Sequence, residues 1–208
     1  DYYLGEDGKM VSNVWVGVYY TGADGAYQKG WLKLTEGWYY LGIDGVVQTG
    51  WIKVDNIWYY GNPEFENPGL LIENDWLTLG DVRYHFYTGG AMAMGWTLID
   101  GDYYYFNESG AMLTDAWVGD YYLDKDGKMA TNSWVGVYHV GADGAYQTGW
   151  LKLGEEWYYL GANGVMAHNE WAGNYYLKED GKMARNEWVD GGKYFVDENG
   201  VWVPNAKK

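Results

Sequence analysis

The chain has 208 residues, a formal charge of −15, no cysteine, an aromatic content of 20% and 32 glycines. It lacks the basic stripe that phosphate neutralisation needs, so nucleic acid is excluded and cationic partners are favoured. Disulfides and thiolate metal sites are excluded too, and no apolar run approaches the roughly 18 residues of a membrane span.

From one end to the other a tryptophan returns, at Trp15, Trp31, Trp51, Trp76, Trp96, Trp117, Trp134, Trp150, Trp171 and Trp188. Recurrence on this scale signals an array of small units, each packed only on its neighbours. The chain enters in mid-repeat at Asp1-Tyr2-Tyr3-Leu4, so the expectation is a piece of a longer protein. Each unit reads as Trp, a spacer, two aromatics, an aliphatic, a turn ending in glycine and a short apolar segment. The predicted element is a β-hairpin folded about the glycine turn, as in Trp157-Tyr158-Tyr159-Leu160, Gly161-Ala162-Asn163-Gly164 and Val165-Met166-Ala167. The fold class is therefore all-β, a solenoid of about ten stacked hairpins forming one module over residues 1–208.

Two lengths of unit occur. Long units carry a second aromatic after the spacer, from Trp31 to Trp38, Trp51 to Trp58, Trp96 to Tyr103 and Trp150 to Trp157. Short units place Val18, Asp120, Val137 or Asn174 there instead. After Trp58-Tyr59-Tyr60 the turn swells to residues 61–69, with two prolines, and reads as a tolerated insertion. Residues 1–47 align without a gap on 120–166, with about 34 of 47 positions identical, which marks duplication of several units at once. The last residues, 204–208, read as a linker.

Period-two alternation sets Trp38 and Tyr40 on one face and Tyr39 and Leu41 on the other. With the hairpin folded about Ile43 and Asp44, Trp51 would lie across from Trp38, and Tyr60 of the next unit would add a third wall. Three aromatic faces form a box for a quaternary ammonium group, which needs no hydrogen bonds. Tyr39, Tyr59, Tyr104 and Tyr158 fall on the other face and read as packing. His85, His139 and His168 are too scattered to be catalytic, and the acidic turns are explained by turn chemistry, so neither catalytic residues nor cofactor nor structural metal is expected.

The pattern Gly50-Trp51, six residues, Trp58-Tyr59-Tyr60, repeated at Gly149-Trp150 and Trp157-Tyr158-Tyr159-Leu160, resembles the choline-binding, or cell-wall-binding, repeat of pneumococcal surface proteins and autolysins. The resemblance implies a left-handed superhelix with choline or phosphocholine of teichoic and lipoteichoic acids held between repeats by two Trp, a Tyr and often a Met. Carried onto this chain, it implies junctions of Trp38, Trp51 and Tyr60, of Trp157, Trp171 and Tyr176, of Tyr103, Trp117 and Tyr122, and of Trp58, Trp76 and His85, with Met112 and Met166 on return strands. It also implies a secreted, non-catalytic anchor on a wall hydrolase, such as an endo-β-N-acetylglucosaminidase, or on a surface protein. A glucan-binding module and a structural spacer are the alternative readings.

Overall fold

The computed structural model describes residues 2–64 and 66–208, so Asp1 and Phe65 of the swollen turn lie outside the description. Among the described residues there are 21 strands and no helix. They pair as nine two-stranded sheets and one three-stranded sheet, and each of the ten recurring tryptophans sits on the first strand of one hairpin. The all-β hairpin array read from the sequence is the architecture found. The chain falls into two compact units, residues 1–98 with 105–112 and residues 99–104 with 113–208.

The hairpins do not fold about the glycine turn. Gly149–Leu153 pairs with Glu156–Leu160 across the spacer, with Trp150 opposite Tyr159 and Lys152 opposite Trp157. In the hairpin of Gly50–Val54 and Ile57–Gly61 the two linking residues, Asp55 and Asn56, have φ of 49° and 65°, the left-handed pair that a tight hairpin turn requires. Short units turn on a glycine such as Gly17 or Gly136, with φ of 57° and 59°. The predicted turn at residues 42–45 exists, closed by the Gly45 amide on the Gly42 carbonyl, but it yields only a single bridge, Leu41 to Val47. A left-handed residue ahead of each tryptophan, such as Gly50 at φ 69° or Asn132 at φ 45°, then stops the extended run before a second ladder can form.

What the connector does instead is bind backwards. The Val47 amide donates to the carbonyl of Val18 in the preceding hairpin, Leu71 to Trp38, Met92 to Trp58, Met166 to Val137 and Met183 to Trp157, all at 2.8–2.9 Å. These bonds stitch consecutive hairpins inside each unit. Connector carboxylates and amides cap their own turns, Asp44 accepting from the Val46 amide at 3.1 Å and Asp197 from the Val201 amide at 2.9 Å, as the turn reading of the acidic clusters requires. The swollen turn is absorbed in the same frame: Gly69 donates to the Asn62 carbonyl at 2.7 Å, and Leu71 still reaches Trp38.

Among the described residues the buried side chains gather in separate small cores. The strand alternation places Tyr39 and Leu41 inside and leaves Trp38 and Tyr40 half-buried. Tyr39, Leu41 and Val47 pack against Trp15, Tyr20 and Leu32, while Tyr60, Phe86 and Met92 pack against Trp58, Leu77 and Tyr84. Each small core thus joins two neighbouring hairpins, as expected of units too small to bury a face alone. Phe86→Ala empties one such core and is expected to cost about 3–5 kcal/mol in urea denaturation, whereas Ile43→Ala, 90% exposed on a turn, should stay within about 0.5 kcal/mol of the parent.

Candidate choline site

Because the hairpin closes across the spacer, both indoles of a long unit come from one hairpin. Trp51 and Trp58 lie on the same face, with centroids 6.1 Å apart and planes at 84°. Both indoles line one cavity, close enough together for a single cation to lie within the ~6 Å reach of each. Tyr84 from the next hairpin stands 4.9 Å from Trp51, and Met92, whose amide is fixed on the Trp58 carbonyl, supplies the apolar floor. These four, with Ser109 at the rim, line a cavity of about 270 Å³.

The arrangement recurs. Trp150 and Trp157 stand 6.2 Å apart at 82°, Tyr175 is 5.1 Å from Trp150, and Met183 and Asn199 complete a cavity of about 360 Å³. Trp31 and Trp38 repeat the corner at 6.2 Å and 87°, with Tyr59 4.7 Å from Trp31 and Leu71 in the methionine place. The first two are pockets lined by aromatic rings, suited to a positive group that is large and carries no N–H donors, and the third repeats their aromatic corner.

The trios expected from the sequence are therefore regrouped. Trp51 with Tyr60 (5.2 Å), Trp171 with Tyr176 (5.2 Å), Trp117 with Tyr122 (5.3 Å) and Trp76 with His85 (5.0 Å) are cross-strand pairs within single hairpins. Their supposed first members belong to earlier hairpins: Trp38 faces Trp31, Trp58 faces Trp51 and Trp157 faces Trp150. Tyr103 holds the second-tryptophan place of its own hairpin, its carbonyl accepting the Met129 amide at 2.8 Å. Met112 and Met166, the methionines expected on return strands, bond through their amides to Arg83 and Val137. The walls that the sequence reading passed over are Trp31, Trp150, Tyr59, Tyr84, Tyr175, Met92 and Met183. Tyr59 had been set aside as packing, and it both packs, 9% exposed, and forms a wall. The overlooked signal was the turn-forming pair in the spacer, Asp55-Asn56.

One long hairpin has no box. At Asp75–Leu79 and Val82–Phe86 the second-tryptophan place is held by Arg83, whose guanidinium carbon lies 4.3 Å from the Trp76 ring centroid. A cation from the chain itself covers that indole. Short units keep the corner between Trp and the next tyrosine, Trp15 with Tyr39 (5.1 Å), Trp117 with Tyr138 (5.1 Å), Trp134 with Tyr158 (5.3 Å) and Trp171 with Tyr194 (5.6 Å), but lack the second indole. Two recover a third ring on the connector, Tyr146 at 6.2 Å from Trp117 and Trp202 at 6.1 Å from Tyr194. Burial, with the Glu36 carboxylate beside it, pushes Tyr39 up to about 12, so its phenol stays a neutral donor at physiological pH.

Choline-binding repeats match residues 74–117, 111–146 and 165–202, and the putative cell wall binding repeat matches residues 29–47, 49–62 and 148–166. The chain belongs to the choline-binding repeat family. Among solved structures of that family, the modular autolysin LytC of Streptococcus pneumoniae, in complex with a synthetic peptidoglycan ligand, is 30% identical with a TM-score of 0.79, over 93% of this chain and 46% of the autolysin. The choline-binding protein CbpF of the same organism is 31% identical with a TM-score of 0.65, over 97% of this chain and 89% of its own. CbpJ, also pneumococcal, is 28% identical with a TM-score of 0.71, over 97% and 90%. The chain thus spans about half the length of the autolysin, and no curated protein sequence matches it. Choline-binding repeats are non-catalytic modules associated with the cell wall, and this chain sets clusters of aromatic rings between its hairpins. Among the described residues no helix is long and apolar enough to cross a membrane. Replacing Arg83 with Trp restores the indole pair beside Trp76, and titration calorimetry is expected to count one more choline per chain than in the parent.

Proposed function

We propose that the boxes Trp31, Trp38 and Tyr59, Trp51, Trp58 and Tyr84, and Trp150, Trp157 and Tyr175 hold the phosphocholine of teichoic and lipoteichoic acids. By this reading the module anchors a secreted wall hydrolase or surface protein to the bacterial envelope, and the catalytic domain of such a parent is a peptidoglycan glycosidase. The observation that carries the reading is the paired perpendicular indoles of the Trp51 and Trp150 boxes, each closed by a third ring and a thioether over a cavity of 270–360 Å³. Each desolvated ring face contributes on the order of 1–2 kcal/mol to a bound cation, enough in sum for millimolar binding of one head group.

Preference for phosphocholine over free choline has its own support. The ammonium groups of Lys33, Lys53 and Lys152 stand over Trp38, Trp58 and Trp157 at 5.2, 5.2 and 6.0 Å, each directly across the ladder from its indole. In a chain of net charge −15 these are the positive groups beside the boxes that suit a phosphodiester attached to the bound choline. The similarity to an autolysin solved with a peptidoglycan ligand supports a parent that works on the wall.

Choline titration followed by tryptophan fluorescence and thermal melting tests the reading, with glucose oligomers and sodium chloride as controls. Trp58→Ala and Trp157→Ala should each weaken the choline response several-fold, and Val137→Ala should leave it intact. A response to glucose oligomers alone would place the module among glycan binders. Lys53→Met together with Lys152→Met is expected to weaken phosphocholine binding about fivefold while changing choline affinity less than twofold, read by competition between the two ligands.

A further inference from the structure

The swollen turn at residues 61–69 leaves the stitch undisturbed, and its excess length is placed over a neighbouring corner. Glu66, Asn67 and Pro68 close a cavity of about 360 Å³ whose other walls include Trp15, Tyr39, Val47 and Glu36. Trp15 and Tyr39 form the aromatic corner, 5.1 Å apart with planes at 61°, and the Tyr39 hydroxyl donates to the Glu36 carboxylate at 3.3 Å. Val18 holds the second-tryptophan place here, so the usual third ring is missing; two carboxylates stand at the cavity instead.

That exchange alters the ligand. A quaternary ammonium has no N–H, gains nothing directional from a carboxylate and does best among ring faces. A primary ammonium carries three donors and loses much of its hydration on entering an aromatic corner, a loss that charge-assisted bonds to carboxylates offset. The geometry points to Trp15, Tyr39, Glu36 and Glu66 as a binding site for a primary alkylammonium group, distinct from the choline boxes and created by the insertion.

The chain holds its own control. In the duplicated copy Trp134 and Tyr158 form the same corner, 5.3 Å apart at 65°, and Glu155 aligns with Glu36. The connector that follows the next hairpin there is the short turn closed by the Gly181 amide on the Lys178 carbonyl, and it brings no counterpart of Glu66.

The test follows indole N–H signals by nuclear magnetic resonance, with Trp15, Trp134, Trp51 and Trp150 assigned by single substitution to Phe, during titration with ethanolammonium chloride, choline chloride and sodium chloride. Ethanolammonium is expected to shift Trp15 saturably, at an affinity at least fivefold above any response of Trp134. Glu66→Gln should weaken the Trp15 response about fivefold, and Glu36→Gln with Glu66→Gln further, while the choline shifts of Trp51 and Trp150 stay unchanged. A silent Trp15, equal responses from Trp15 and Trp134, or an unaltered response in Glu66→Gln would each overturn the site. Silence of Trp51 and Trp150 toward choline would instead count against the choline boxes and leave this site untouched.

Discussion

The fold depends on one recurring hydrogen bond, from the amide of an apolar connector residue to a carbonyl at the start of the preceding hairpin's second strand. Among the described residues nine such bonds run along the chain, those beyond the first five being Met112 to Arg83, Met129 to Tyr103, Tyr146 to Asp120 and Trp202 to Asn174. Isolated two-stranded hairpins are marginal in water, and burial between neighbours stabilises these. The bond fixes where each neighbour sits, and so fixes which ring of the next hairpin reaches which indole of this one. Glycine at the following turn is favoured by its left-handed backbone, φ 78° at both Gly110 and Gly181, where a β-carbon would also press on the flexible Met92 and Met166 thioethers.

Much of this was legible in the sequence. Ten tryptophans gave ten hairpins because each opens a first strand, and the Trp38-Tyr39-Tyr40-Leu41 alternation gave the faces because a strand has no other period. The choice between two turns was not legible. Gly42-Ile43-Asp44-Gly45 is the stronger turn signal, Leu34-Thr35-Glu36-Gly37 the weaker, and extended segments flank both. What decides between them is the connector amide, which is taken by the preceding hairpin and cannot build a second ladder. Placing the hairpin about the wrong turn moved each indole pair by one unit, and for that reason Trp38, Trp51 and Tyr60 were grouped when the structure groups Trp51, Trp58 and Tyr84.

Local chemistry at the second-tryptophan place separates units that share one scaffold. Trp58 and Trp157 complete a cage of ring faces, Arg83 covers Trp76 with a guanidinium, and Asp120 and Asn174 supply no ring of their own. The short units, read from sequence as spacers or sites of another kind, divide by what the connector brings: Tyr146 and Trp202 return a ring, and the expanded turn at Glu66 returns a carboxylate. Identical corners are thus given different partners by residues that lie a whole hairpin away in the sequence.

The stitching bond uses only the backbone of the residue whose side chain closes the aromatic corner or leaves it open. Trp, Tyr, Arg, Asp, Asn and Val all occupy that place in one chain, and in every case the carbonyl accepts the same amide at 2.8–2.9 Å. A substitution there can therefore close or open an aromatic corner while leaving the stitching bond in place. Since the dwell time of a tethered protein on a polymer grows multiplicatively with each simultaneous grip, residence on the wall becomes a quantity that evolution can raise or lower in steps without refolding anything.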